Sequence, residues 1–101
     1  KPSLTVHPIG NPRRDLEPMG GEAGKLAPPS PRLTTLLRAL SEARSSPAYA
    51  ECLEDFDVTF EATHHGPILE TPTLFAEIGS TADEWGRKDA GRCWAEALWA
   101  E

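Results

Sequence analysis

The sequence predicts an α/β fold on three observations. Residues 56–62 alternate apolar and polar in the period of a strand. Leu33, Leu36, Leu37 and Leu40 recur at helical spacing. The patterns then mix along the chain as β, loop, α, α, β, β, α, α, rather than segregating into all-helical or all-β runs.

Leu4-Thr5-Val6 reads as a short first strand that runs into a long loop. Seven of the ten prolines fall in residues 1–31, and a loop this long inside a compact domain is usually functional or disordered. Ser30-Pro31 then predicts a helix start, a capping hydroxyl followed by proline at the first helical position. The leucine stripe follows it. Ser45-Ser46-Pro47 breaks that helix and predicts a second, short one through Ala48, Tyr49 and Leu53. In the strand over 56–62, Phe56, Val58, Phe60 and Ala62 share one face, while Asp57, Thr59 and Glu61 share the other. Gly66-Pro67 stops it. Thr73 to Ile78 predicts a further strand with Leu74, Ala76 and Ile78 opposite Phe75 and Glu77. After Gly79, Ser80-Thr81 opens a helix, with Glu84 placed for a capping box with Thr81. From about Asp89 a last helix buries Ala90, Cys93, Trp94, Ala97 and Leu98. Trp85, Trp94 and Trp99 are expected to pack.

With 101 residues there is room for one domain, 1–101, with 7–31 as a loop-rich segment inside it. Leu, Ile, Val and Phe number 19, a modest supply for a core. No apolar run approaches the roughly 20 residues of a membrane span. Cys52 and Cys93 cannot build a disulfide scaffold and suit a reducing compartment, which points to the cytoplasm. The chain starts at Lys1 rather than Met, as expected of a removed leader or an excerpt of a longer chain. Net charge is −6, with residues 1–50 at +3 and 51–101 at −9. An acidic whole argues against a general nucleic-acid binder. The split leaves room for a basic flank on a backbone, where Arg13, Arg14, Lys25 and Arg32 cluster, and an acidic flank on a metal or cationic group.

Candidate chemistry gathers where strands end. All three histidines, His7, His64 and His65, lie there, and ligands of α/β sheets bind beyond strand carboxyl ends. His7, one of the pair, and Glu61 or Glu77 would make the three-ligand set of a catalytic zinc. Histidines that merely pack are the alternative. In an extended segment His64 and His65 face opposite ways, unless a turn at Gly66-Pro67 brings them together. Glu77, in an apolar strand, is either a solvent-facing edge residue or an inward general base. Gly79-Ser80-Thr81 offers N–H groups to an anion or else simply caps a helix. Gly20-Gly21 permits close backbone approach without being a phosphate loop.

Together LTVHPIGN (Leu4–Asn11), MGGEAGKLAPPSPRL (Met19–Leu33), EATHHGP (Glu61–Pro67), PTLFAEIGST (Pro72–Thr81) and the W-x-x-x-D-A-G run from Trp85 to Gly91 resemble the archaeal- and plant-type D-aminoacyl-tRNA deacylases, the GEKO family. The plant members are especially similar through RKDAGRCWAEALW. The resemblance covers nearly the whole chain and corresponds to an internal part of a longer catalytic domain. It implies a hydrolase that cuts the ester between a D-amino acid and the terminal ribose of tRNA, with D-aminoacyl-tRNA as partner and zinc as cofactor. It also implies clearance of aldehyde-modified D-aminoacyl groups. The implied fold is a partial phosphorylase- or peptidyl-tRNA-hydrolase-like sheet flanked by helices.

Residues carried over by motif are His7, Gly10, Asn11, Gly20, Gly21, Glu61, Thr63, His64, His65, Gly66, Glu77, Gly79, Ser80 and Thr81. Among them Glu61, Thr63, His64, His65 and Glu77 are taken as catalytic. His7, Asn11, Gly20, Gly21, Gly66, Gly79, Ser80 and Thr81 are taken as substrate-binding, and His7, His64 and His65 as metal ligands. Asn11 and the backbone near Gly66 or Gly79 are the expected oxyanion donors. A non-catalytic tRNA- or protein-binding remnant of the family, or a zinc hydrolase of another ester or amide, are the competing readings.

Overall fold

A computed structural model describes residues 1–12, 22 and 24–100. Arg13, Arg14, Gly20 and Gly21 lie outside the described residues. The elements are β1 (Ser3–His7), β2 (Gly10–Asn11), β3 (Lys25–Leu26), α1 (Leu33–Ser45), β4 (Asp57–Phe60), β5 (Phe75–Gly79), α2 (Ala82–Trp85) and α3 (Lys88–Ala100). Mixed α/β architecture is therefore observed.

The main sheet has the order β4-β1-β5, with β4 parallel and β5 antiparallel to β1. Alternation along β1 decides its two faces. Leu4 and Val6 turn to α1 and α3 and join a core with Leu36, Leu40, Leu53, Phe56, Cys93 and Trp94. Ser3, Thr5 and His7 turn the other way. α1 and α3 thus cover one face of the sheet, which leaves the polar face to form a site. The thinnest dimension, 16 Å, suits one sheet and one helix layer.

α1 begins later than expected, at Leu33 with Arg32 as its cap. Ser30 makes a turn ahead of the helix: its hydroxyl accepts the Arg32 N–H and its carbonyl accepts the Leu33 N–H. The leucine stripe behaves as expected, with Leu33, Leu36 and Leu40 buried and Leu37 partly so. No second helix follows Ser46. Residues 47–55 form turns in which i→i+3 and i→i+4 bonds alternate (Tyr49 to Ser46, Leu53 to Tyr49), which still delivers Tyr49 and Leu53 to the core.

β4 is shorter than the alternation predicted. Phe56 is buried but Phe60 is 53% exposed, because β4 is the sheet edge and the helical layer does not reach its end. In α3 the buried stripe is Ala90, Cys93, Trp94 and Ala97; Leu98, expected to be buried, is exposed. Of the tryptophans only Trp94 packs, its indole N–H donating to the Glu77 carbonyl. Trp85 and Trp99 are exposed at 64% and 93%. Burial pushes the Cys93 thiol up to about 11, which fits a core residue and not a nucleophile. Among the described residues no helix is long and apolar enough to cross a membrane.

Glu84 closes the capping box of α2: one carboxylate oxygen accepts the N–H groups of Ser80 and Thr81, each at 3.1 Å. α3 starts from a bidentate pair, Arg87 Nε and Nη2 on Asp89 at 2.9 and 2.7 Å, and Arg87 also reaches the Cys52 carbonyl. The Arg87 hydrogen bond holds the Asp89 carboxyl below its ordinary value, and the Thr81 N–H does the same for Glu84. Stability from these groups is therefore fully present above about pH 4 and lost as acid protonates them below it. A melting-temperature profile should fall on that acid limb, and Asp89→Asn should flatten part of the fall. An unchanged limb in the variant would assign it to other carboxylates.

Candidate functional site

Pairing in the sheet sets where each candidate stands. His7, at the end of β1, pairs with Phe75 at the start of β5, and Thr5 pairs with Glu77. Ile9 bridges His64, whose carbonyl accepts the Gly10 N–H at 3.2 Å. Gly10 itself has φ +143, and a Cβ there would lie 2.7 Å from the Leu26 Cα, so only glycine allows β2 to pair antiparallel with β3 at this close approach.

His65 resolves the question left by the strand period. Its φ is +68, a left-handed conformation beyond the end of β4 at Phe60. The alternation therefore does not carry through the pair, and His64 and His65 come together with ring centroids 4.3 Å apart. His7 stacks on His64 at 3.8 Å, and Phe75 flanks both His7 and His65. Ligand atoms of the three histidines all lie within 4.8 Å of one another.

Two backbone carbonyls set the imidazole tautomers. His7 Nδ1 is 2.6 Å from the Pro8 carbonyl, and His64 Nδ1 is 2.5 Å from the Ala62 carbonyl. A carbonyl can only accept, so each Nδ1 carries the proton and each neutral ring keeps its Nε2 lone pair. The His7 Nε2 is fully buried and lacks a hydrogen-bond partner. Glu77 Oε2 stands 3.2 Å from it, in contact but out of hydrogen-bond alignment. Two acceptors facing each other at that distance repel unless a cation or proton lies nearby. Across the site Glu61 Oε2 is 4.0 Å from His64 Nε2.

These observations fit a metal in donor type, number and tautomer, with the carbonyls orienting the imidazoles as outer partners commonly do. His7, His64 and His65 would be the residues to hold such an ion, which would supply Lewis acidity there.

Over the polar face of the sheet lies a cleft of about 400 Å³, lined by Ser3, Thr5, Glu61, His64, Glu77, Ile78, Gly79, Ser80 and Trp85. His7 does not line the cleft but is buried behind it, in contact with two residues that do, Glu77 and His64. The cleft thus gathers Glu61, His64, Glu77, Gly79 and Ser80, all expected from sequence. Thr63, Gly66 and Thr81 are not among its lining residues, and Asn11 is buried in β2.

Gly79-Ser80-Thr81 does not end beside His7. Because β5 is antiparallel, Gly79 pairs with Ser3 at the opposite end of β1. The Ser80 and Thr81 N–H groups are moreover taken by Glu84, so this segment caps a helix and does not offer those groups to an anion. Ser3, Thr5 and Trp85 were missed as cleft residues. The first two share the strand phase of His7, a signal that was available; Trp85 had only its place one turn after the Gly79 motif.

The family model for D-aminoacyl-tRNA deacylase matches residues 1–101. A D-aminoacyl-tRNA deacylase of Arabidopsis thaliana is 44% identical over 105 residues, 98% of this chain and 31% of that protein. One from Hyperthermus butylicus is 45% identical over 100 residues, 97% of this chain and 35% of that protein. A crystal structure of a conserved protein of unknown function superposes with a TM-score of 0.80 at 37% identity, over 97% of this chain and 33% of that one. The chain spans about a third of the length of these relatives.

Proposed function

The chain belongs to the D-aminoacyl-tRNA deacylase family, and on that footing we propose that it hydrolyses the ester between a D-amino acid and the terminal ribose of tRNA. The products are free tRNA and free D-amino acid, and aldehyde-modified D-aminoacyl groups belong to the same substrate class. The observation that carries this reading is the buried, unpartnered His7 Nε2 facing Glu77 beside His64 and His65.

Ester hydrolysis needs a proton removed from water and a counter-charge for the oxygen that becomes anionic. Glu77 is the base on this reading. Its carboxylate reaches the cleft from a rigid strand, with Oε2 3.2 Å from His7 Nε2. His7, His64 and His65 would hold Zn²⁺, with Pro8 and Ala62 keeping two of the imidazoles in the ligating tautomer. When bound, the ion supplies Lewis acidity, which matters here because the Ser80 and Thr81 N–H groups are already spent on Glu84. Preference for the D-hand comes from the walls of the cleft, which exclude the other placement of the side chain sterically. The setting is the cytoplasm, and the sheet is part of a phosphorylase- and peptidyl-tRNA-hydrolase-like layer.

Incubation with D-Tyr-tRNA and L-Tyr-tRNA tests the proposal. Release of tyrosine from the D-ester alone, stopped by a chelator and restored by zinc, is expected. Binding of tRNA without turnover of either ester, with zinc present, would instead leave a binding remnant.

A further inference from the structure

The cleft differs from end to end, and the strand register says how. Across the polar face of the sheet Ser3 stands against Gly79, Thr5 against Glu77, and His7 against Phe75. The two carboxylates of the lining therefore sit toward the histidines, Glu77 beside His7 and Glu61 beside His64. Ser3, Gly79, Ser80 and Trp85 make the other end, which carries no charge. Four steps along β1 separate Ser3 from His7, about 13 Å at the usual rise of a strand. Trp85 is 64% exposed although it lines a cavity, and among the described residues no ring stacks on its indole. Its backbone is nevertheless held in place. The Trp85 N–H donates to the Thr81 carbonyl at 3.3 Å, and Glu84 accepts the N–H groups of Ser80 and Thr81 where α2 leaves β5. A large aromatic face anchored in the open at the wall of a cleft is a stacking surface for a flat, neutral partner.

We propose that Trp85 is the stacking surface for the terminal adenine base of the tRNA, with the ester lying toward Glu77 and the histidines. The identity of this ligand rests on the hydrolase reading. An aminoacyl ester has two arms beyond its reacting bond. The amino-acid side chain differs from one substrate to the next, whereas the terminal nucleoside is the same in every tRNA, so a fixed surface suits the constant arm. Charge selects the same arm: ribose and adenine are neutral near pH 7, and at this end of the cleft they meet neither Glu61 nor Glu77. The distance from Ser3 to His7 leaves room for base, ribose and ester in line along β1.

The test compares kcat/KM for the D-tyrosyl ester of adenosine with that for the same ester of methyl riboside, which keeps the leaving hydroxyl and lacks the base. The adenosine ester should be preferred by about tenfold, the worth of one stacked base. Trp85→Ala should bring the ratio close to one, and Trp85→Phe, which keeps a ring, should hold most of it. If Trp85 instead received the amino-acid side chain, Trp85→Ala would slow both esters alike and the ratio would stand, which overturns the proposal. A second readout is independent of turnover: adenosine and methyl riboside are titrated against the protein while its backbone amides are followed by NMR. Adenosine should shift the amides from Ser80 to Trp85 and bind about tenfold more weakly to Trp85→Ala. Equal affinity of parent and variant for adenosine overturns the subsite. Adenosine held at Trp85 by a protein that cuts neither ester would keep the subsite and remove the hydrolase reading; hydrolysis of D-Tyr-tRNA with no preference for the base would do the reverse.

Discussion

If the proposed deacylase reading holds, replacing His7 with alanine should lower hydrolysis of D-aminoacyl-tRNA by about a thousandfold, and zinc added to the protein should no longer co-elute with it on gel filtration. His7 is the buried member of the histidine cluster. It is fully buried, its Nδ1 is held by the Pro8 carbonyl, and its Nε2 has no hydrogen-bond partner. A buried ring nitrogen left unpaired costs free energy, and that cost is recovered when the lone pair ligates an ion. Alanine also leaves a hole beneath Glu77 and Phe75, so part of the loss will be structural. His64→Ala separates the two effects, because that side chain is partly exposed and belongs to the loop after β4. It should cost little in melting temperature and still remove both zinc and most of the rate. Undiminished turnover in His64→Ala and His65→Ala together, with His7→Ala merely unstable, would show that the cluster only packs.

That cluster was half legible in the sequence. Three histidines at strand ends signalled a common rim, and the phase shared by Ser3, Thr5 and His7 signalled a common face. Hidden was the left-handed conformation of His65, since nothing local in Thr-His-His-Gly-Pro distinguishes extension through His65 from a reversal at it. Strand direction was hidden too. β4 and β5 look alike in pattern, but one runs with β1 and the other against it, which sends Gly79 to the far end of the cleft from His7. Period arguments assign faces and not partners. The same limit explains Leu98 and Trp99: helical spacing puts Leu98 in the buried stripe, but the width of the layer beneath decides where burial stops.

The stability of the two-layer arrangement should depend most on Phe56. Its side chain is 1% exposed, between the turns of 47–55 and the start of β4, and the Arg87 guanidinium lies 5.0 Å over its ring. Its carbonyl accepts the Arg44 Nε–H at 3.2 Å, which ties the end of α1 to the sheet edge. Phe56→Ala removes the transfer free energy of the ring, leaves a cavity that rigid neighbours fill only in part, and strips Arg87 of its aromatic contact. The expected cost is about 3–5 kcal/mol. Small domains hold only about 5–15 kcal/mol in total, so this one change removes a large share. Trp99→Ala is the matched control: an aromatic of greater size, 93% exposed, whose loss should stay within about 0.5 kcal/mol. Urea midpoints of the two variants should therefore separate widely, with Trp99→Ala beside the parent. Equal midpoints would mean that burial against α1 and α3 is not what holds this sheet in place, and that the cleft on its other face is secured by some other contact.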